Sequence, residues 1–236
     1  MTQTARRPLR RILVVNPNTN PDTTAMLARR MRAALDKAGG APVDITAVTV
    51  AAGPTMITTG EALAAAATHV VDAVVAAFSG AVGGVMPDAV VVGAFGDPGV
   101  ELLRAHPALD GVQVTGIGEA SLLAATVGGG RFAIATTTGD LAEALAALVD
   151  RVGVSDLYTG LELTETDPLV LAGSPRESRR ELAAAVERAR AHGARRVVIG
   201  GGPLSDVAAD LEQTYPGAIV EPVAAAAMLV LGHPSA

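Results

Sequence analysis

The sequence predicts an α/β protein of two pseudo-symmetric domains, each a parallel sheet flanked by helices, with the active-site cleft between them. Short, continuous apolar runs alternate with helical patterns, which is typical of strands buried on both faces of a parallel sheet. The pattern restarts once, near residue 131. Each half also contains a strand that runs through a small-residue turn into a helix, VVVGAFGDPG in the first half and RVVIGGGPLSD in the second.

The first half contains strands and helices in strict alternation, which predicts right-handed crossovers between parallel strands. Its first helix carries Met26, Leu27 and Met31 at the spacing of one buried face, after a polar turn and a Thr/Asp cap region. The predicted strands are 12–16, 43–50, 88–95 and 112–118, and the predicted helices lie within 17–35, 61–78 and 98–106.

The second half repeats this organisation from residue 131 onward. Its last helix begins with a proline at the first position, where the missing N–H costs nothing. The predicted strands are 131–138, 195–200 and 218–223, and the predicted helices are 141–153, 177–193, 205–215 and 222–232. We predict a first domain at 11–126, which the C-terminal helix 222–232 is free to join, and a second domain at 127–221.

Composition excludes several classes of function. Half of the 236 residues are apolar and the net charge is −6, which argues against nucleic-acid and anionic-membrane partners. The absence of cysteine excludes disulfides, thiolate metal sites and thiol catalysis. The longest apolar stretch, 62–77, contains Thr68, His69 and Asp72 and therefore predicts a buried helix, not a membrane span. The basic segment at 4–11 predicts a solvated tail and not a targeting signal. We therefore expect a cytoplasmic protein.

A series of segments occurs in a characteristic order over residues 11–231: ILVVNPNTN, the Gly-Pro pair at 53–54, FGDPGVELLR, VTGIGEAS, RFAIATT, GGPLSDVA and EPVAAA. In this order they resemble the aspartate/glutamate racemase superfamily, specifically its hydantoin racemase branch. The resemblance implies a small-molecule substrate, either a carboxylate or a hydantoin-like ring, bound between two pseudo-symmetric domains. It also implies that no cofactor is needed and that the chain forms a homo-oligomer.

The chemistry of that family is a relay between two cysteines on opposite faces of the substrate. One stands in a Cys-Phe-Gly-Asp-Pro-Gly motif and falls on Ala94, and the other stands in a Gly-Cys-Ala-Gly-Met motif and falls on Gly201. The two-thiol mechanism therefore does not carry over. Three explanations stay open: engineered inactivation, loss of catalysis with ligand binding retained, or different chemistry in the same cleft. Glycine is an unusual inactivating choice, and the retained scaffold favours the third explanation.

Candidate substrate-binding residues lie at the strand ends. Asn16, Asn18 and Thr19 follow the first strand, where they suit a carboxylate or imide oxygen, although capping of the next helix is the alternative. Thr136 and Thr137 end the first strand of the second half, where they predict an anion-binding site that mirrors the one in the first half. The alternative is that they are β-branched residues with no role beyond forming the strand. The small-residue turns offer N–H donors to a developing oxyanion, although tight turns also require glycine sterically. The remaining candidates are Ala94, Phe95, Gly201, Gly202 and Pro203.

Candidate catalytic side chains are few. None of the four histidines stands in a triad or metal-ligand spacing, so we expect no metal site. Asp97 and Asp206 are the candidate carboxylates, each with helix capping as the alternative. We expect a cofactor-independent enzyme acting on a small carboxylate or cyclic imide through an enolate or oxyanion state, with isomerase, lyase/decarboxylase or hydrolase-type chemistry. The alternative is an inactive homologue that binds a small acid or hydantoin.

Overall fold

The computed structural model describes residues 9–39, 41–79 and 86–232, which form two four-stranded parallel sheets flanked by helices. The strands are β1 (Arg11–Asn16), β2 (Asp44–Thr49), β3 (Ala89–Val92), β4 (Gln113–Gly116), β5 (Phe132–Thr136), β6 (Tyr158–Leu163), β7 (Arg196–Ile199) and β8 (Ile219–Val220). The helices are α1 (Pro21–Ala38), α2 (Gly60–Ser79), α3 (Val100–Arg104), α4 (Ile117–Ala125), α5 (Ala142–Val152), α6 (Pro168–Ala172), α7 (Pro175–Ala191), α8 (Ser205–Thr214) and α9 (Pro222–Val230). Most of the basic segment 4–11 lies outside the described residues.

The two sheets have the same strand order, β2–β1–β3–β4 in the first half and β6–β5–β7–β8 in the second. All six strand pairs are parallel. The central strands are the most apolar and the most buried, because helices cover both faces of each sheet. The predicted fold class is confirmed. The two halves are pseudo-symmetric because their four strands follow one another in the same spatial order.

Two elements of the second half are absent from the sequence prediction. The strand β6 lies at a sheet edge, where its residues are only partly buried, and its sequence YTGLEL contains no continuous apolar run. The helix α6 has five residues, which is too short for a helical period to register. The strand predicted at 112–118 ends earlier, at Gly116, because α4 begins directly at Ile117.

Helices join the two halves. The last helix, α9, packs against α1 and α4 of the first half, and α4 also packs against α5 of the second. The Arg196 guanidinium at the start of β7 donates to the Ala124 carbonyl oxygen in α4 at 2.5 Å. The domain limits of 11–126 and 127–221 stay a prediction.

Within the described residues, α2 is the one helix long and apolar enough to cross a membrane. Val70 and Val74 of this helix are fully buried in a core cluster with β1 and β3 residues such as Val15 and Val90. One face of α2 therefore packs on the first sheet, but only 22% of its apolar stretch is buried, so the predicted buried helix is wrong in this respect: α2 covers the sheet from outside and leaves its other face exposed.

Candidate active site

The strand-end turns of the two halves meet between the sheets. After β3 the Gly93 N–H donates to the Val15 carbonyl oxygen, and after β7 the Gly200 N–H donates to the Ala135 carbonyl oxygen, both at 2.8 Å. A Cβ at Gly202 would lie 2.4 Å from the Gly93 carbonyl oxygen. The lack of a side chain at Gly202 therefore allows the two turns to touch.

A cavity of about 40 Å³, the inner cavity, lies at this junction. It is lined from the first half by Asn18, Met56, Ile57, Leu63, Gly93, Ala94 and Phe95, and from the second by Thr137, Thr138, Leu141, Leu145, Gly200, Gly201, Gly202, Pro203 and Leu204. Its volume suffices for a few waters or for one end of a small ligand. Ala94 and Gly201, the positions that the family resemblance assigns to cysteines, line this one cavity from opposite halves.

The polar turn after β1 presents an amide to the inner cavity. Asn16 is fully buried and organises the turn, because its Nδ2 donates to Asn18 Oδ1 at 2.9 Å and to Thr24 Oγ1 at 3.0 Å. Asn18 Oδ1 also accepts from the Asn20 N–H at 3.0 Å. Both bonds fix the orientation of the Asn18 amide, whose Nδ2 has no acceptor among the described residues. Asn18 Nδ2 is therefore the donor that this turn offers to a ligand.

Two of the three residues predicted at this turn, Asn16 and Thr19, hold it together and do not line the inner cavity. Thr19 donates its hydroxyl to the Gly53 carbonyl oxygen at 3.3 Å and its N–H to the Pro54 carbonyl oxygen at 3.0 Å. Asn16 is occupied within the turn itself. Asn18, the third residue predicted at this turn, lines the inner cavity.

The corresponding turn after β5 presents threonines. Thr136 is fully buried, and its hydroxyl donates to the Gly200 carbonyl oxygen at 2.5 Å, which ties β5 to the turn after β7. Thr137 and Thr138 line the inner cavity. Thr138 is a lining residue that the sequence patterns did not single out. The Thr137 hydroxyl has no hydrogen-bond partner within the described part of the chain, so it is available to a ligand.

Backbone donors complete the set. The N–H groups of Ala94, Thr137 and Gly201 have no acceptor among the residues that the structure describes. All three residues line the inner cavity. Unpaired N–H groups beside a largely apolar wall can stabilise an oxygen on which negative charge develops.

The described lining of the inner cavity contains no Asp, Glu, His, Lys, Arg or Tyr. The cavity thus combines hydrogen-bond donors with apolar walls, and its lining supplies no side chain that exchanges protons near neutral pH. This is its main chemical constraint, because proton removal by the protein needs a base within hydrogen-bond reach.

A second cavity of about 410 Å³, the outer cleft, adjoins the inner cavity. The two share Met56, Thr137, Pro203 and Leu204. The other residues of the outer cleft are Asn20, Asp22, Thr23, Met26, Thr55, Pro168, Leu169, Leu171, Ala172, Pro175, Ser178, Asp206 and Val207. Its volume lies in the range of small-molecule sites, so a ligand with one end in the inner cavity has room to extend outward.

Asp97 follows the Ala94 turn but lines a different cavity, together with Arg104 and Glu119. Its Oδ1 accepts from the Gly118 N–H at 2.8 Å and its Oδ2 from the Glu119 N–H at 2.6 Å, so it caps α4. Burial raises the pKa of Asp97 to about 7, against the lowering by those two backbone N–H groups. The left-handed backbone of Asp97, with φ 57°, accompanies this placement.

Asp206 lies in the first turn of α8 and accepts from the Arg29 guanidinium at 2.6 Å. Its half-exposed side chain lines the outer cleft and not the inner cavity. The structure therefore brings Ala94, Phe95 and Thr137 together with the glycines of the turn after β7 in the inner cavity. Neither candidate carboxylate lines this cavity. A catalytic role for Asp97 or Asp206 stays a prediction.

Comparisons with solved structures agree with this architecture. Allantoin racemase from Klebsiella pneumoniae is 26% identical, with a TM-score of 0.79 over 96% of this chain and 90% of that chain. Allantoin racemase from Pseudomonas fluorescens is 23% identical, with a TM-score of 0.79 over 96% and 93%. Arylmalonate decarboxylase is 18% identical, with a TM-score of 0.60 over 94% and 92%. The last two likenesses concern the fold alone.

Sequence comparison assigns the family. A search of curated protein sequences finds no match. The family model described as Asp/Glu/Hydantoin racemase matches residues 12–230, which is nearly the whole chain and includes both strand-end turns. The chain therefore belongs to the Asp/Glu/hydantoin racemase family.

Proposed function

We propose that this protein is a cofactor-independent enzyme that acts on a small carboxylate or cyclic imide by a non-thiol mechanism. The observation that carries the proposal is the lining of the inner cavity. Ala94 and Gly201 share a cavity whose polar groups are amide, hydroxyl and backbone donors, with no proton-exchanging side chain among the described lining residues. The likeness to an allantoin racemase at 26% identity supports a small cyclic imide as one ligand class.

The donors would hold the carbonyl or carboxylate oxygen that gains charge during the reaction. Asn18 Nδ2 and the Thr137 hydroxyl come from opposite halves, and the N–H groups of Ala94 and Gly201 come from the two meeting turns. Each stands in a turn that directly follows a buried strand. Such preorganised donors act strongly when an apolar wall excludes water.

Loss of carbon dioxide from an activated acid is the reaction class that fits this site best, because it begins without a protein base. The bond between the α-carbon and the carboxylate carbon breaks, and its electron pair moves into the neighbouring carbonyl to give an enolate. The donors stabilise the enolate oxygen. A solvent water then protonates the α-carbon, and the hydroxide that remains combines with carbon dioxide as bicarbonate. Racemisation fits less well, because it needs a proton donor or acceptor on both faces.

The second candidate is a catalytically inactive homologue that binds a small acid or hydantoin. The same observation favours it: a cavity with donors and no proton-exchanging side chain in its described lining binds a ligand without transforming it. In either case we propose a cytoplasmic homo-oligomer with no nucleic-acid or membrane partner, which rests on the family resemblance and the acidic balance of the chain.

Incubation in D₂O with 2-methyl-2-phenylmalonate and with (S)-5-methylhydantoin tests the proposal. We expect a monoacid that carries one deuterium at the α-carbon, and a hydantoin that keeps its optical purity by chiral chromatography. Deuterium at the hydantoin ring carbon with loss of optical purity, above a protein-free control, would contradict the non-racemase mechanism. A ligand that raises the melting temperature and stays unchanged at long incubation favours the inactive homologue.

A further inference from the structure

The outer cleft has a predominantly apolar floor and wall. Met26, Leu171, Pro203 and Val207 line it from four different elements or turns of both halves. It opens onto the inner cavity through four shared residues. Whatever substituent a ligand carries beyond its reacting end therefore lies against apolar side chains.

An exposed leucine at the rim extends this surface. Leu169 and Val170 on α6 are 62% and 61% exposed, the two highest values among the large apolar side chains of the described residues. Leu169 lines the outer cleft and Val170 does not. An exposed apolar side chain beside a ligand cavity gains burial when a ligand covers it.

Ser178 adds a second, independent observation. It lies in α7, lines the outer cleft and is only 3% exposed, yet its Oγ has no hydrogen-bond partner among the described residues. A buried hydroxyl without a partner is unfavourable, so this group needs one that the protein does not supply. Its Oγ has less than 1 Å² of accessible surface, so a polar atom on a ligand substituent would satisfy it after the Ser178 side chain rotates toward the outer cleft.

Carboxylates limit the charge of that substituent. Asp22 and Asp206 line the outer cleft, and the ion pair with Arg29 compensates only Asp206. An acidic substituent would be repelled, whereas an uncharged one would not be.

We propose that the outer cleft selects substrates with an uncharged, apolar substituent of about aryl size that carries one hydrogen-bonding group, with Leu169 and Ser178 as specificity-determining residues. The proposal rests on the proposed function, because it places the reacting end in the inner cavity. It names the substrate class for that site: a hydantoin or malonate with a bulky substituent that ends in a hydroxyl or similar group.

Calorimetric binding of four hydantoins to the full chain tests the proposal. We expect 5-benzylhydantoin to bind about tenfold more tightly than 5-methylhydantoin, a ratio that needs roughly 60 Å² of additional apolar burial at about 25 cal/mol per Å². We expect 5-(4-hydroxybenzyl)hydantoin to bind roughly threefold to tenfold more tightly than 5-benzylhydantoin. Hydantoin-5-acetate should bind no better than the methyl compound.

Two matched pairs of variants assign the effect to residues. Leu169→Ala should weaken binding of both aromatic ligands by about fivefold, whereas Val170→Ala, equally exposed on the same helix, should leave both unchanged. Ser178→Ala should remove only the advantage of the hydroxybenzyl ligand. Ser205→Ala is its control, because Ser205 is also buried with an unpartnered hydroxyl but lines neither cavity.

The outcomes separate this inference from the proposed function. If 5-methylhydantoin binds but the aromatic ligands gain nothing, or if Val170→Ala weakens them as much as Leu169→Ala, the outer cleft is not the specificity site and the proposed function stands. If the hydroxyl advantage survives Ser178→Ala, the role of Ser178 is overturned. If none of the four hydantoins binds, the substrate class of both proposals is wrong.

Discussion

Asp97 provides a test of the capping arrangement behind the site. Its carboxylate is 6% exposed, accepts from the Gly118 and Glu119 N–H groups, and lies within 2.0 Å of where a Cβ at Gly116 would stand. Burial raises its pKa to about 7 from the ordinary value of 3.8. Asn is the substitution to use, because it matches the shape of the protonated acid and tolerates the left-handed backbone at φ 57°.

The sign and size follow from proton linkage. Because the pKa of Asp97 is higher in the folded protein than in the unfolded chain, its contribution to stability is fully present below pH 3.8 and is lost as the pH rises through about 7. The gap of about three pH units corresponds to about 4 kcal/mol at about 1.36 kcal/mol per unit. The Asp97→Asn variant does not lose this stability at high pH, because asparagine does not ionise. Its stability relative to the parent should therefore rise by about 3 kcal/mol between pH 5 and pH 8.

Urea unfolding followed by far-ultraviolet circular dichroism measures this difference, since the chain has no tryptophan. Asp206→Asn is the control, because the Asp206 side chain is half-exposed and solvent screens its ion pair with Arg29. A difference between Asp97→Asn and the parent that stays constant from pH 5 to pH 8 would refute the reasoning. It would mean that the two N–H bonds outweigh burial and that Asp97 stays charged throughout.

Three other measurements concern the meeting turns and the assembly. Gly202→Ala places a Cβ 2.4 Å from the Gly93 carbonyl oxygen and should lower the free energy of unfolding by about 2–3 kcal/mol, whereas Gly60→Ala, with nothing within 4 Å, should change it by less than about 1 kcal/mol. Ala94→Cys combined with Gly201→Cys should gain α-proton exchange and racemisation of a bound hydantoin in D₂O, and each single variant at most exchange from one face; a folded double variant that binds without exchange would contradict the shared cavity. Sedimentation at micromolar concentration should give more than the mass of one chain, and a single-chain mass alone would exclude the homo-oligomer.

Local sequence patterns predict the segments whose burial runs along the chain. The runs ILVV, AVVV and FAIA lie in β1, β3 and β5, which are central strands covered on both sides. The same patterns do not predict β6, because an edge strand needs no continuous apolar run. They do not predict α6 either, because a helix of five residues is too short to show a helical periodicity of apolar residues. The outer cleft, which contains Leu169 of α6, was therefore beyond prediction.

The sequence by itself determined the central strands of both sheets, the repeat of one unit, and the absence of thiols at positions 94 and 201, since these depend only on residue type and local periodicity. Only the tertiary structure decided which strand-end groups share a cavity: Asn18 lines it where Asn16 and Thr19 do not, and neither Asp97 nor Asp206 lines it. The physical reason is that a side chain at a strand end takes its direction from backbone angles and from partners far along the chain. Asp97 is held by N–H groups more than twenty residues away, and no local pattern encodes such partners.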